Sequence, residues 1–299
     1  MIGSPFLAGR DRYERVMDGR VDNTHDTAFT HTVRLTDPDR SVEVTAVCTP
    51  SPAYEVREAS ARALSGAVDP GITADFPGLA GTRMVGGFTR RLAELCGARE
   101  GAGLVVDAGL EVARLSRQVT KMPAAAVASL EPGDSQACWA LDMAGWVDLP
   151  DSCFTYSSAG RALFGTRPVS SPMVPALYSP PPGARDVFAR RKVVRLVLTG
   201  RRLHLFHSMH DNVHGFDLHY EIDVDRGTIV GVDSITSRLP YAGICTEPQS
   251  RIESLRGQPV DAALRKRVQG QLGGIEGCAQ LYDLTSDLLK LLSIGPSVR

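Results

Sequence analysis

A repetition at an offset of 175 to 176 residues constrains this 299-residue chain more than any other feature. Ser4-Pro5 recurs as Ser179-Pro180, and Arg10-Asp11 recurs as Arg185-Asp186. From position 31 a gapless offset of 176 pairs His31 with His207, Arg62 with Arg238, Gly97 with Gly273, Glu100-Gly101 with Glu276-Gly277 and Asp107 with Asp283. The period is far too long for a solenoid and has the size of a small domain. Chance matching in a chain rich in Ala, Gly, Leu and Arg is the competing account. The repetition predicts an α+β fold, an internal duplication of an antiparallel-sheet-plus-helices unit with pseudo-two-fold symmetry. Residues 1–122 are then the first repeat, 123–178 an insert, and 179–299 the second repeat, which carries the site.

Local patterning fills in each unit. Lys192 to Leu198 is an apolar, β-branched run that Thr199-Gly200 turns into Arg201 to His207, as in a hairpin. From Phe216 to Val224, Leu218, Tyr220, Ile222 and Val224 alternate with Asp217, His219, Glu221 and Asp223, the period of a half-buried strand. Asp225-Arg226-Gly227 supplies the next turn, and Thr228 to Ile235 returns as a strand. Ser41 to Cys48 keeps the same alternation in the first unit. Apolar spacing predicts helices over Met84 to Cys96 and Val260 to Leu272, stopped by Gly97 and by Gly273-Gly274. A last helix places Leu281, Leu284, Leu288, Leu291 and Leu292 on one core face. The insert is rich in Pro, Ser and Gly, yet it holds Trp139, Trp146, Phe154, Tyr156 and Phe164. A flexible tether would not concentrate aromatics, so the insert is expected to pack over a cleft.

Composition then narrows the function classes. A net charge of −1, with arginines dispersed among carboxylates, offers no basic face for nucleic acid. No run of 18 or more apolar residues is present to span a membrane. The residues after Met1 lack the long apolar core of a signal peptide. The six cysteines are widely spaced with no C-x-x-C pair, which argues against a structural zinc site and a disulfide framework. The expectation is a cytoplasmic protein with reduced thiols, no nucleic-acid or membrane partner and no cofactor. Its partner would be a small aromatic molecule, with homo-oligomerisation left open.

Five of the seven histidines fall within sixteen residues: His204, His207, His210, His214 and His219. Imidazole is a common metal ligand, and a metal centre could add Asp217 or Glu221. Against this, His204 and His207 must point to opposite faces of a strand, and His219 shares a polar row with Asp217 and Glu221. Acid–base chemistry needs less geometry. On that reading His207, His210, His214 and Tyr241 move protons, Asp211 orients a histidine, and Trp146, Tyr156, His31 and His219 contact substrate. Cys245 and Cys278 are candidate nucleophiles, Cys278 at a helix start where thiolate is favoured, with ordinary core packing as the alternative. No G-x-S-x-G elbow, Walker loop or H-E-x-x-H motif appears.

Several spaced motifs carry a family resemblance. The histidine-bearing strand, Leu239-Pro240-Tyr241 with Cys245, Leu255-Arg256-Gly257 and Gly273-Gly274-Ile275-Glu276-Gly277-Cys278-Ala279-Gln280-Leu281 follow one another in order. Over about residues 200 to 292 the chain resembles a bacterial domain-of-unknown-function family, number 2889. Asp151 to Ser157 resembles it with less weight. The family's histidine in the closing motif is Gln280 here, so a role that needs imidazole at that position does not transfer. The resemblance implies one activity, cofactor-free loss of formaldehyde from the side chain of lignin-derived aromatic dimers. Such a carbon–carbon lyase needs a base for the primary alcohol and stabilisation of charge on a phenolic ring, and no hydride carrier. A metal-dependent hydrolase or oxygenase, or a non-catalytic binder of a hydrophobic small molecule, are the alternatives.

Overall fold

The computed structural model describes residues 3–131 and 133–293. Eight strands dominate it: β1 (Arg12–Asp22), β2 (Phe29–Thr36), β3 (Ser41–Cys48), β4 (Val56–Ser65), β5 (Phe188–Thr199), β6 (Arg202–Asp211), β7 (Gly215–Asp223) and β8 (Thr228–Arg238). They form one sheet in the order β4-β3-β2-β1-β5-β6-β7-β8. Every neighbouring pair is antiparallel. The sheet is thus two four-stranded meanders joined where β1 pairs with β5, from Arg12 opposite Val197 to Val21 opposite Phe188. With its helices, the fold is α+β.

Alternation along the strands decides which face is covered. On β5, Phe188, Arg190, Lys192, Val194 and Leu196 are buried, while Ala189 and Arg191 between them are exposed. Buried rows of this kind face the helices, and the polar rows face solvent, the usual division in an antiparallel sheet covered on one side. The longer helices are α1 (Phe88–Cys96), α2 (Ala102–Leu115), α3 (Ser135–Gly145), α4 (Leu264–Leu272) and α5 (Ala279–Leu289). Helix α2 lies across β1, β2 and β3, and α5 lies on β6. Among the described residues no helix is long and apolar enough to cross a membrane.

Two helices start later than their apolar spacing predicts. Gly87 takes a φ of 91°, a left-handed conformation that suits glycine and interrupts any helix begun at Met84. Helix α1 therefore starts at Phe88, and the Met84 N–H donates to the Tyr54 carbonyl instead. Likewise the Val260 N–H donates to the Gly227 carbonyl at 2.7 Å, so Val260 is tied to the β7–β8 turn and α4 begins at Leu264.

A buried ion cluster joins the two meanders beneath α2 and α5. Lys192 Nζ lies 2.7 Å from Glu111 Oε1 and 3.7 Å from Asp287 Oδ2, and Arg114 Nη1 lies 2.6 Å from Asp287 Oδ2. Burial alone would raise the Glu111 pKa, but Lys192 and Arg114 outweigh it and hold the carboxyl down at about 2.

The insert is a folded layer, seated on the second meander and the loops that follow it. Within it, the Trp139 Nε1–H donates to the Thr155 carbonyl at 2.9 Å. The Phe154 N–H donates to the Gly277 carbonyl at 2.9 Å, and Ser170 bridges Ala242. Gly277 allows the close approach of the α4–α5 connection, since a Cβ there would fall 2.1 Å from the Leu272 carbonyl oxygen.

Candidate active site

The insert and the second meander enclose a cavity of about 140 Å³. Its wall is mostly apolar, and the polar groups on it come from five places: Arg117 and Gln118 just after α2, the β6–β7 turn, α3, the Ser152–Tyr156 segment and the start of α5.

The β6–β7 turn is built on an aspartate. The Asp211 N–H donates to the His214 carbonyl at 2.9 Å, and Asp211 Oδ1 accepts from the N–H groups of Val213 at 2.8 Å and His214 at 2.6 Å. Aspartate favours turns because its side chain can take up such N–H groups. The same carboxylate approaches His214 Nδ1, with both oxygens at 3.1 Å. From β5, Arg190 donates to Asp211 Oδ2 from Nε at 2.8 Å, with Nη2 at 2.7 Å from the same oxygen. Both side chains are essentially inaccessible. Burial would push the Asp211 carboxyl up, yet His214 and Arg190 hold it far below the usual carboxylate range. A carboxylate at Nδ1 fixes the proton on that nitrogen. Nε2 of His214 is left as the acceptor, on a side chain that lines the cavity.

Helix α3 supplies a second carboxylate. Its first turn is capped by Asp134, whose Oδ1 accepts from the Ala137 N–H at 2.9 Å. One turn before its end, Asp142 reaches the cavity wall, buried and surrounded by phenols. Tyr156 donates to Oδ2 at 2.8 Å, Tyr241 donates to the same oxygen, and Tyr178 donates to Oδ1 at 2.8 Å. Burial raises the Asp142 carboxyl to about 6, and the three phenolic hydrogen bonds limit the rise. Burial also pushes Tyr156 and Tyr241 well above the ordinary phenol value, with Asp142 adding to it. Trp146, at the end of α3, lines the same cavity, and its buried Nε1–H has no hydrogen-bond partner.

The histidine cluster of the sequence is divided among three environments. Only His214 reaches this cavity, with Asp211 behind it at Nδ1; Asp142, Trp146 and Tyr156 share the wall, and the Tyr241 hydroxyl is turned onto Asp142 behind it. His207 faces the helices and lines a separate chamber of about 40 Å³ beside Lys192, Glu111 and Asp287. Its Nδ1 is 2.9 Å from the Leu284 carbonyl, and burial, with Lys192, lowers its pKa to about 4. His210 is on the opposite, solvent face of β6, 3.3 Å from Asp217. His219 is on that face too, with its ring stacked on His204, Nδ1 of His204 being 3.2 Å from Nε2 of His219. His31 is fully buried in the first meander, where desolvation lowers its pKa to about 4. Odd spacing along a strand explains the separation of His207 from His210.

Cys153, Cys245 and Cys278 also line the cavity. Cys278 is at the start of α5 as the sequence suggests, but burial pushes its thiol up to about 11, so it is held protonated rather than as a nucleophilic thiolate. Cys245 is pushed up as well by burial, and its sulfur lies 2.9 Å from Thr155 Oγ1. Among the described residues no group of three or more His, Cys, Asp or Glu side chains is arranged to hold a metal ion.

Sequence reasoning missed Arg190 and Asp142. The parity of β5 carried a signal for Arg190, which shares the buried row with Phe188, Val194 and Leu196. For Asp142 the only signal was its spacing of four from Trp146 on a helix.

Residues 195–292 match a family described as a protein of unknown function, DUF2889. The match covers about a third of the chain and includes Asp211, His214, Tyr241 and Gln280. Arg190, Asp142, Trp146 and Tyr156 lie outside it. Neither the curated proteins nor the solved structures give a match to the chain.

Proposed function

We propose that the chain is a cofactor-independent carbon–carbon lyase that releases formaldehyde from the side chain of a lignin-derived aromatic dimer. The observation that carries this reading is the buried Arg190–Asp211 pair that clamps Nδ1 of His214 at the wall of a mostly apolar cavity. An imidazole held in that tautomer presents Nε2 as a general base, the logic of a carboxylate–histidine dyad. Nε2 takes the proton of the primary alcohol, and the O–H electrons form the C=O bond of formaldehyde as the adjacent carbon–carbon bond breaks. The electrons of that bond form a carbon–carbon double bond as the neighbouring benzylic hydroxyl leaves, and the transferred proton departs with it as water. Substrate is thereby divided into a stilbene-type product, formaldehyde and water. A cavity of about 140 Å³ is close to the roughly 150 Å³ that admits benzene in another protein. One ring of the dimer fits within it and the second has to lie outside.

The experiment is formaldehyde release by chelator-treated protein offered aromatic dimers that bear a hydroxymethyl side chain. Release above the buffer rate supports the lyase, and no release, with or without restored metals, defeats it. The mostly apolar wall favours a second reading, a binding protein for a hydrophobic small molecule. In that case His214→Ala leaves ligand affinity intact and no substrate is turned over.

We further propose that the two meanders descend from one duplicated unit. Supporting this, α1 and α4 are both nine residues long and start 176 residues apart. The six free cysteines suit a reducing compartment, in keeping with a cytoplasmic protein.

A further inference from the structure

We propose that Asp142 and Trp146 form a hydroxyl-recognition subsite that selects a free phenol on the ring held in the cavity. The inference deepens the lyase reading, on which the identity of the ligand as substrate rests. A carboxylate offers about four acceptor positions. On Asp142, Oδ2 takes Tyr156 and Tyr241, whereas Oδ1 takes Tyr178 alone, so one acceptor position remains on Oδ1. Trp146 presents the complementary fault, a buried indole N–H with no acceptor. An unpaired buried donor of this kind is costly and rare in a folded protein.

The two incomplete groups belong to side chains that meet at Tyr178. They stand four residues apart at the end of α3, both line the cavity, and both touch Tyr178. Tyr178 donates to Asp142, and its ring meets the Trp146 ring edge-on with centroids 6.0 Å apart. A group that both donates to a carboxylate and accepts from an indole N–H is a hydroxyl. The apolar wall around it, with room for one ring, makes that hydroxyl a phenol rather than a sugar alcohol. The three tyrosines already around Asp142 show that phenols fit its geometry. A phenol donating to Asp142 gains electron density on its ring, which assists departure of a benzylic hydroxyl in the proposed reaction.

Calorimetric titration with 4-ethylphenol and 4-ethylanisole tests the subsite without turnover. The expected result is that the phenol binds at least about tenfold more tightly than its methyl ether. Asp142→Asn and Trp146→Phe should each narrow that gap, by weakening the phenol more than the ether. Trp146→Phe removes the N–H together with the five-membered half of the indole, so both probes lose packing, and the ratio of their affinities keeps the test decisive if Asp142→Asn fails to fold. Equal affinity for the two probes, no binding of either, or a preference that survives Trp146→Phe would overturn the proposal, and water would then be the occupant of the subsite. A phenol preference without formaldehyde release in the dimer assay would leave the subsite standing and sink the lyase.

Discussion

Both carboxylate oxygens of Asp211 lie 3.1 Å from Nδ1 of His214, and Arg190 closes the same carboxylate from β5. This three-residue chain spans the β5–β6 pairing and the β6–β7 turn, so the orientation of one imidazole is set by the sheet itself. If His214 is the proposed base, bracing of this kind limits the geometry it loses between turnovers.

If His214 is the base, His214→Ala should reduce formaldehyde release by about 10²–10⁴-fold, the usual worth of general base catalysis. His210→Ala should leave release unchanged, because His210 is on the solvent face, 3.3 Å from Asp217 and away from the cavity. Rates of the two variants under identical conditions check this. Equal losses would mean that the base is elsewhere.

Asp211→Asn should act on stability as well as rate. It leaves Arg190 charged, buried and without its counter-ion, a loss on the order of 3–5 kcal/mol. Urea unfolding should show a lower midpoint with an unchanged slope. A midpoint equal to wild type would show that the Arg190–Asp211 pair contributes little to the fold.

The strands were legible in the sequence because alternation is a local signal. Leu218, Tyr220 and Ile222 against Asp217, His219 and Glu221 reveal β7 without knowledge of any neighbour. The helix stops at Gly97 and Gly273 were legible for the same reason. The site was legible only in part: Asp211 beside His214 is a contact over three residues, whereas its other polar contacts are made across the fold. Asp142 meets Tyr241 across 99 positions, and Arg190 meets Asp211 across the β5–β6 pairing. A count of histidines in one stretch grouped residues that the pleat then sent to opposite faces.

Lys192→Met should destabilise the chain by up to about 3–5 kcal/mol, as it strips the buried Glu111 carboxylate of one of its two cations and leaves Arg114 alone beside it. Adding Glu111→Gln should recover part of that loss. Thermal unfolding of both variants checks the coupling, and simple additivity of the two substitutions would argue against it.

His31 and His207 both have pKa values lowered to about 4 from an ordinary 6.5. The unfolded chain therefore takes up protons first, so the stability they contribute is complete above about pH 6.5 and is lost as pH falls toward about 4. The shift corresponds to at most about 3 kcal/mol for each histidine. Asp142, raised to about 6, works in the opposite sense and offsets part of the loss. His31→Leu should flatten the pH dependence of the unfolding free energy between pH 6.5 and 4.5. An unaltered slope would mean that His31 is not held neutral.

The β1–β5 junction has a kinetic consequence. Every other strand pairing in the sheet is between neighbours in sequence, whereas Val21 and Phe188 meet across the whole first meander's helices and the insert. Loop-closure entropy opposes that contact until much of the chain is organised. We expect each meander to zip from its own hairpins and the junction to close last, leaving β1 and β5 as unpaired edges in the meantime. Pulse-labelling hydrogen exchange should then protect amides of β6 and β7 before those β1 and β5 amides that bond across the junction, and simultaneous protection would sink the idea. During that interval two exposed edges can pair with other copies, so the chain should refold in good yield when dilute and aggregate when concentrated.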